Sequence, residues 1–373
     1  MSATSDISGP LRSRLYRLRS SGNLGWSAGA LALALIVTSP ILAIGLVAMQ
    51  SSGDTWPHLV STVLPSSTLT TMELMFGVGL TTLVIGAGTA WLVTMFRFPG
   101  RSIFEWLLLV PLAMPTYIIA FCYMELFDYS GTIQTALRAA FGWRNAADYW
   151  FPEIRSIWGG ILVMSFVLYP YVYLTARASF LQQSVCVLEV SRTLGRSAWG
   201  TFWSVALPLA RPALVAGVTL ALMESLNDIG AVEFLGIQTL TQSVYATWLE
   251  RSSLPGAAQI ASVMLLFVFA LIFIERSARR RQRFHHTTGK YNALPEQALG
   301  PVAGAFATLA CTAPIVIGFV LPASVLVNSA VDNIAEGLKP EFWQCAWHSI
   351  MLALSAAMVA VVIGLVLAYA CRA

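Results

Sequence analysis

The chain has 373 residues, of which 57% are hydrophobic and only 11% are charged, and its mean hydropathy is +0.71. A soluble domain carries about 25% charged residues, so this composition excludes an ordinary soluble protein and indicates an integral membrane protein. The net charge of +4 is too small to indicate nucleic-acid binding. The five cysteines lack a metal-binding spacing such as C-x-x-C and imply no disulfide framework.

The predicted elements are helices that cross the bilayer, so the fold class is all-α transmembrane. A span needs about 20 mainly apolar residues, and the third predicted span is interrupted by Pro111 and Pro115. The eight predicted spans cover residues 25–49, 74–96, 103–124, 158–180, 208–231, 257–275, 301–328 and 349–371. No cleavable signal peptide is evident, so the first run is expected to stay in the membrane.

The distribution of Lys and Arg predicts the orientation. If the basic N-terminal tail, residues 1–24, is cytoplasmic and the spans alternate, 17 of the 22 Lys and Arg residues lie on the inner side and 5 on the outer side. An excess of positive residues on one side marks the cytoplasmic face. This topology places the segment between spans four and five in the cytoplasm and the loop at 126–157 outside.

Two pairs of similar stretches indicate an internal repeat. "TSPI" at 38–41 returns as "TAPI" at 312–315, and "VIGAGTAW" at 84–91 returns as "VIGLVLAY" at 362–369, with nearly equal offsets. We therefore predict a six-span domain at 25–290 and the first two spans of a second, similar domain at 291–373. Two complete copies would need about 550 residues, so we expect the second domain to be incomplete here or supplied by another chain.

The polar segment 186–208 interrupts the apolar pattern. Gly195 suits the left-handed residue that ends a short helix, and Ser197 suits the cap of a second short helix. Pro208 suits the opening of span five, where a missing N–H costs least. The segment is predicted to form two short helices on the membrane surface, continuous with span five. The alternative is an interfacial helix anchored by Trp199 and Trp203.

The spacing of this segment, Glu189-Val190-Ser191, then Gly195, then Val205-x-Leu207-Pro208, resembles the EAA loop of permease subunits of bacterial ATP-binding-cassette importers, E-A-A-x3-G-x9-I-x-L-P. The resemblance implies a coupling helix that inserts into a groove on an ATPase subunit. The residues placed at that interface are Glu189, Val190, Ser191, Arg192, Thr193, Gly195, Ser197, Leu207 and Pro208.

The same resemblance implies the partners and the location. This chain contains no G-x4-G-K-[ST] motif, so ATP and magnesium are expected on separate ATPase subunits, two in number, and this chain is expected to bind no cofactor. No catalytic or metal-binding cluster is expected, so the chain is predicted not to be an enzyme. A periplasmic binding protein would deliver the substrate, and the chain would lie in the bacterial inner membrane.

The stretch "ALMESLNDIGAVEFLG" at 221–236 carries acidic residues on span five. Glu224, Asn227 and Asp228 share one helix face at i, i+3 and i+4 spacing, and a charge in hydrocarbon costs about 2.5–3.5 kcal/mol. This face is predicted to line a translocation path, or else to hydrogen-bond neighbouring helices or reach outer solvent. In span four, Tyr169 and Pro170 would form a gate or hinge, or simply pack.

The part "ESLNDIGAVEFLG" resembles the two-domain permeases of ferric-iron importers, which implies ferric iron as the substrate. Relatives that import thiamine, polyamines, phosphonates or sulfate remain alternatives, as does a secondary transporter driven by an ion gradient. The loop at 126–157, with Trp143, Trp150 and Phe151, would either meet the binding protein or cap the bundle.

Overall fold

The computed structural model describes residues 24–53, 55–182, 195, 197–280, 297–337 and 339–370. Within these ranges the protein is almost entirely helical. Its α-helices are α1 Leu24–Ala48, α2 Thr55–His58, α3 Leu64–Met95, α4 Arg101–Leu107, α5 Thr116–Phe127, α6 Thr132–Phe141, α7 Ile157–Gln182, α8 Ala198–Thr201, α9 Leu207–Asn227, α10 Ile229–Phe234, α11 Leu240–Leu249, α12 Leu254–Arg280, α13 Pro301–Ile315, α14 Leu321–Asp332, α15 Ile334–Gly337 and α16 Pro340–Ala370. A two-residue parallel pair joins β1, Phe96–Arg97, to β2, Gln297–Ala298.

Seven helical runs among the described residues are long and apolar enough to cross a membrane, and a bent pair raises the number to eight. The bent pair is the predicted third span, which is not one straight helix. Helix α4 and the 3₁₀ turn Val110–Ala113 are bent by 89° against the run that starts at Thr116. Pro115 accounts for the break, because the residue before a proline avoids helical geometry, and Met114 is extended.

Three π-turns share one cause. The turns are Leu59–Val63, Phe202–Ala206 and Val316–Val320, and each is followed by a Leu-Pro pair. In each case the leucine N–H bonds to the carbonyl oxygen five residues earlier. A proline cannot donate to the residue four before it, and its ring crowds that carbonyl. The helix widens by one residue at each proline and continues without ending.

Helix α7 lies at the centre of the larger compact unit, residues 47–329. Gly86 of α3 and Gly217 of α9 both approach its backbone near Val172. A methyl group at Gly86 would lie 2.7 Å from Val172 Cβ and 2.8 Å from the Tyr173 backbone nitrogen. Small residues permit such close helix contacts in membranes, where van der Waals packing drives association. The smaller unit contains residues 1–46 and 330–373.

Helix α13 and most of α14, up to Ser329, belong to the larger compact unit, although the repeat assigns both helices to a second domain. Tyr123 Oη donates to the Ile317 carbonyl oxygen at 2.7 Å. The Phe166 carbonyl oxygen, which Pro170 leaves without its helical donor, contacts Gly318 so closely that a side chain there would clash. In both contacts, one partner is a backbone group of the π-turn Val316–Val320. The domain boundaries at residues 24 and 290 stay predictions.

We expect Gly86→Ala to destabilise the protein by about 1–3 kcal/mol, because the added methyl group overpacks a backbone contact. Gly88→Ala is the matched control, since nothing lies within 4 Å of a methyl group there. Thermal unfolding of the purified protein in detergent measures the difference. Equal midpoints for the two variants would contradict the assigned helix packing.

Candidate coupling site and translocation face

The coupling segment is described at its second half. Gly195 has a φ of +80°, the left-handed conformation that glycine adopts without strain. The Ser197 side-chain oxygen accepts a hydrogen bond from the Gly200 N–H at 3.1 Å, so Ser197 caps α8 as its residue type predicts. The predicted interface residues Glu189, Val190, Ser191, Arg192 and Thr193 lie outside the described residues.

Pro208 lies in the first turn of α9, as its residue type predicts, but the helical run begins before it. The helical run from Trp199 to Asn227 is continuous. The π-turn Phe202–Ala206 accommodates the proline, and the Leu207 N–H bonds to the Phe202 carbonyl oxygen. The cap at Ser197 is therefore linked to the membrane helix α9 by unbroken helix, as a mechanical connection requires.

Three buried aromatic rings hold both flanks of the coupling segment. Trp91 of α3 packs edge-on against Phe180, near the end of α7, with ring centroids 5.4 Å apart. Trp91 also packs against Phe202, just after α8, at 5.1 Å. All three side chains are buried. We call Trp91, Phe180 and Phe202 the aromatic seat. Trp199 and Trp203, the predicted membrane anchors, are exposed and contact the edge of Phe202.

Sequence reasoning missed the aromatic seat. Its members are far apart in the chain, and each lies near the end of a predicted span, where aromatic residues usually anchor helices at the membrane surface. The available signal was that Phe180 and Phe202 flank the polar segment on both sides. The structure brings these two flanks onto one residue, Trp91, of a third helix.

The predicted path residues of α9 separate into two groups. Glu224 and Asn227 are exposed on the larger unit, on the same face as Leu220. No hydrogen bond or ion pair of the Glu224 carboxylate is present within the described part of the chain. Asp228 ends the helix instead: one carboxylate oxygen accepts from the Ala231 N–H at 3.0 Å and caps α10. The structure therefore breaks the predicted three-residue face at Asp228.

Tyr169 and Pro170 lie inside the packed bundle. Tyr169 is fully buried, in one apolar cluster with Cys311 and Ile315 of α13. Pro170 is also buried, within an unbroken α7. Their surroundings are those of packing residues in this conformation, and a gate or hinge role for them stays a prediction.

The loop at 126–157, which is predicted to lie outside, contains α6 and the 3₁₀ turn Ala146–Asp148. Trp143 stacks between Phe141 and Tyr149, with centroids 4.8 and 4.7 Å away. Backbone N–H groups of Arg144 and Asn145 donate to Asp148 and hold the pKa of its carboxyl below the ordinary value. A pocket within this loop, about 370 Å³ in volume, is lined in part by Trp150 and Phe151.

No group of three His, Cys, Asp or Glu side chains is placed to hold a metal ion among the residues that the structure describes. Glu224 of α9 is therefore in no such group, and Asn227 is a second exposed polar side chain on its helix face. They present a polar face, and any ligand on it would need further contacts from elsewhere.

Comparison with solved structures shows the fold. The protein matches a crystal structure of a bacterial ABC transporter involved in import of the acidic polysaccharide alginate with a TM-score of 0.55, at 13% identity over 72% of this chain and all of the other. A second match is a bacterial alginate ABC transporter in complex with an alginate pentasaccharide-bound periplasmic protein, with a TM-score of 0.53, at 13% identity over 69% and 94% of the two chains.

Comparison with curated proteins gives relatives of three substrate classes. The sulfate transport system permease protein CysT of Escherichia coli (strain K12) is 29% identical over 64% of this chain and 85% of its own length. The Fe(3+)-transport system permease protein FbpB 2 of Haemophilus influenzae is 26% identical over 58% and 38%. The molybdenum permease protein ModB of that organism is 28% identical over 50% and 78%.

Fold and relatives together define the class: a multi-pass inner-membrane permease subunit of an ATP-binding-cassette importer, in which ATP hydrolysis lies in a separate subunit. The family model described as "Binding-protein-dependent transport system inner membrane component" matches residues 82–283, more than half of the chain. The chain belongs to that family. The match spans α7, the coupling segment and α9, and membership removes the ion-gradient alternative.

We expect Trp91→Ala to loosen the coupling segment, because it removes the ring that both flanks contact. Deleting a buried aromatic side chain costs about 3–5 kcal/mol. Trypsin should then cleave at Arg192 or Arg196 about tenfold faster or more in the solubilised protein. Trp158→Ala, a change at a 76% exposed tryptophan, is the control. Equal cleavage rates in the two variants would rule out the aromatic seat as the contact that holds the coupling segment in place.

Proposed function

We propose that this permease moves its substrate from a periplasmic binding protein to the cytoplasm by alternating access. In this proposal, two ATPase subunits carry ATP and magnesium and press on the coupling segment at 186–208. The N-terminus and the coupling segment both lie in the cytoplasm. The observation that supports this most directly is the aromatic seat. It lies at the junction of the coupling segment with three membrane helices, so a displacement of the segment would move α3, α7 and α9 together.

The proposed mechanism uses the helix connections already described. Force applied near Ser197 passes along the continuous helix to α9, because no break separates them. The close contacts at Gly86 and Gly217 leave α7 little freedom to slide between its neighbours. The bundle is therefore expected to rotate as one body, and the exposed face of Glu224 would alternate between the two sides of the membrane.

We propose ferric iron as the substrate. Glu224 is an exposed acidic residue in a membrane helix, and such residues usually face a water-filled path or another protein unit. A negative side chain attracts a cation and repels an anion. The ferric relative is also long enough for the two-domain arrangement that the repeat predicts for this chain. Its matched 217 residues are only 38% of its length, whereas the matched 246 residues are 85% of the length of the sulfate permease.

Sulfate is the second candidate, because the sulfate permease matches at higher identity and over a longer stretch than the ferric permease. An anion would need positive side chains or backbone N–H groups along its path. Thiamine, polyamines and phosphonates remain alternatives without a specific observation in their favour.

Uptake of labelled ferric iron and labelled sulfate, in cells that lack the gene and regain it, tests the substrate. We expect the gene to restore ferric uptake. Glu224→Gln should lower that uptake about tenfold, which corresponds to ~1.4 kcal/mol, because the attracting charge is lost. Glu233→Gln, which removes an exposed charge from α10, should leave it unchanged. Restored sulfate uptake with unchanged iron uptake would contradict the proposal for iron.

The same assay tests the ATPase coupling through Gly195. Gly195→Val forces a β-branched residue into the left-handed region and should abolish uptake while the chain still inserts. Gly195→Asn should retain most uptake, because asparagine tolerates that conformation. Full activity of the valine variant would count against a role of this turn in coupling.

A further inference from the structure

Three charged side chains meet where α4 approaches the end of α7 that leads into the coupling segment. One oxygen of the Glu105 carboxylate lies 3.5 Å from Arg101 Nη2, and the other lies 3.0 Å from Arg177 Nη2. One turn before Arg177, Tyr173 Oη donates to the Glu105 carbonyl oxygen at 3.1 Å. Helix α4 is therefore tied to α7 through both the side chain and the backbone of Glu105.

The two ion pairs differ in what they connect. Arg101 and Glu105 lie one turn apart on α4, so their contact moves with that helix. Arg101 Nε also donates to the Val93 carbonyl oxygen at 2.6 Å, which fixes the start of α4 to the last turn of α3. The Arg177–Glu105 pair joins two helices. Of these two ion pairs, only this one changes when the end of α7 moves relative to α4.

The pair lies between the coupling segment and the broken span. Arg177 precedes the last residue of α7, Gln182, by five positions, and the coupling segment follows. Glu105 lies on the first limb of the helix that is bent by 89°. The second limb carries Tyr123, which donates to the Ile317 carbonyl oxygen beyond the bend. The ion pair therefore connects the end of α7 directly to the broken span, so that a displacement of α7 can be passed on to that span.

The geometry of the pair favours a contact that can be made and broken. Arg177 reaches the carboxylate through one terminal nitrogen, and its Nε is buried without a hydrogen bond to any described residue. A guanidinium bound at two points would be held far more rigidly. The two side chains are 32% and 25% exposed, so neither is enclosed by the bundle, and the pair can open without leaving a fully buried charge.

We propose that Glu105 and Arg177 form a coupling latch that makes the broken span α4–α5 follow the coupling-side end of α7. The proposal rests on the proposed function, since it assigns the latch to ATP-driven transport. When α7 moves with the coupling segment, the latch displaces the first limb, and the bend at Pro115 passes the movement to the second. Both are positioning residues, which act through the helices they join.

The test uses the full transporter in membrane vesicles, with its ATPase and binding protein. The readouts are uptake of labelled ferric iron or sulfate, whichever the wild type carries, and ATP hydrolysis with and without the binding protein. Glu105→Gln and Arg177→Gln should each lower uptake about tenfold, within the usual range of coupling factors. ATP hydrolysis should persist but lose its response to the binding protein, an effect that lower stability alone would not produce.

Two further variants make the test specific. Arg177→Lys should keep most of the response, because a single-point contact needs a positive charge and not a planar fork. Arg276→Gln, which removes an exposed arginine from α12 and leaves α4 and α7 untouched, is the control and should leave both readouts unchanged.

Unchanged uptake and response in Glu105→Gln, with an active wild type, would overturn the latch alone. Loss of the response in Arg177→Lys equal to that in Arg177→Gln would also overturn it. A wild type that shows no ATP-dependent uptake would overturn the proposed function and the latch together.

Discussion

The contact of Trp91 with both Phe180 and Phe202 is the interaction on which the coupling site depends. Among the described residues between these two phenylalanines, Leu181, Gln182, Gly195, Ser197 and Trp199 are exposed, and Thr201 beside Phe202 is buried. The position of the coupling segment relative to the membrane helices comes from its two flanks, and both flanks end on the same indole ring. A push on the segment is then resisted by three helices at once.

Prolines elsewhere in the bundle leave backbone carbonyl oxygens without their helical hydrogen-bond donors, and residues of other helical segments contact those oxygens. The Phe166 carbonyl oxygen, freed by Pro170, faces Gly318, and the Ile317 carbonyl oxygen in a π-turn accepts from Tyr123. In a membrane such groups have no water to pair with, so neighbouring helices must satisfy them. The Tyr123 hydroxyl meets this requirement at Ile317, and Gly318 allows the π-turn to approach Phe166 closely.

The sequence predicted the apolar helices and the turn at Gly195 well, because both depend on local patterns. It placed the start of α3 about ten residues late, since Ser66, Thr71 and nearby hydroxyl residues look polar. In the structure these hydroxyls donate to carbonyl oxygens of their own helix, so their hydrogen-bonding groups are paired and the residues can lie within an apolar span. The aromatic seat and the Arg177–Glu105 pair depend on contacts between distant residues, which a single sequence does not encode locally.

The proposed mechanism requires that the segment around Ser197 lies in the cytoplasm and binds an ATPase subunit. The most direct measurement is labelling of Ser197→Cys, in a background without other reactive cysteines, by a membrane-impermeant maleimide in vesicles of both orientations. We expect labelling from the cytoplasmic side and protection when the ATPase subunit is bound. Labelling from the periplasmic side only, or labelling that the ATPase does not affect, would contradict it.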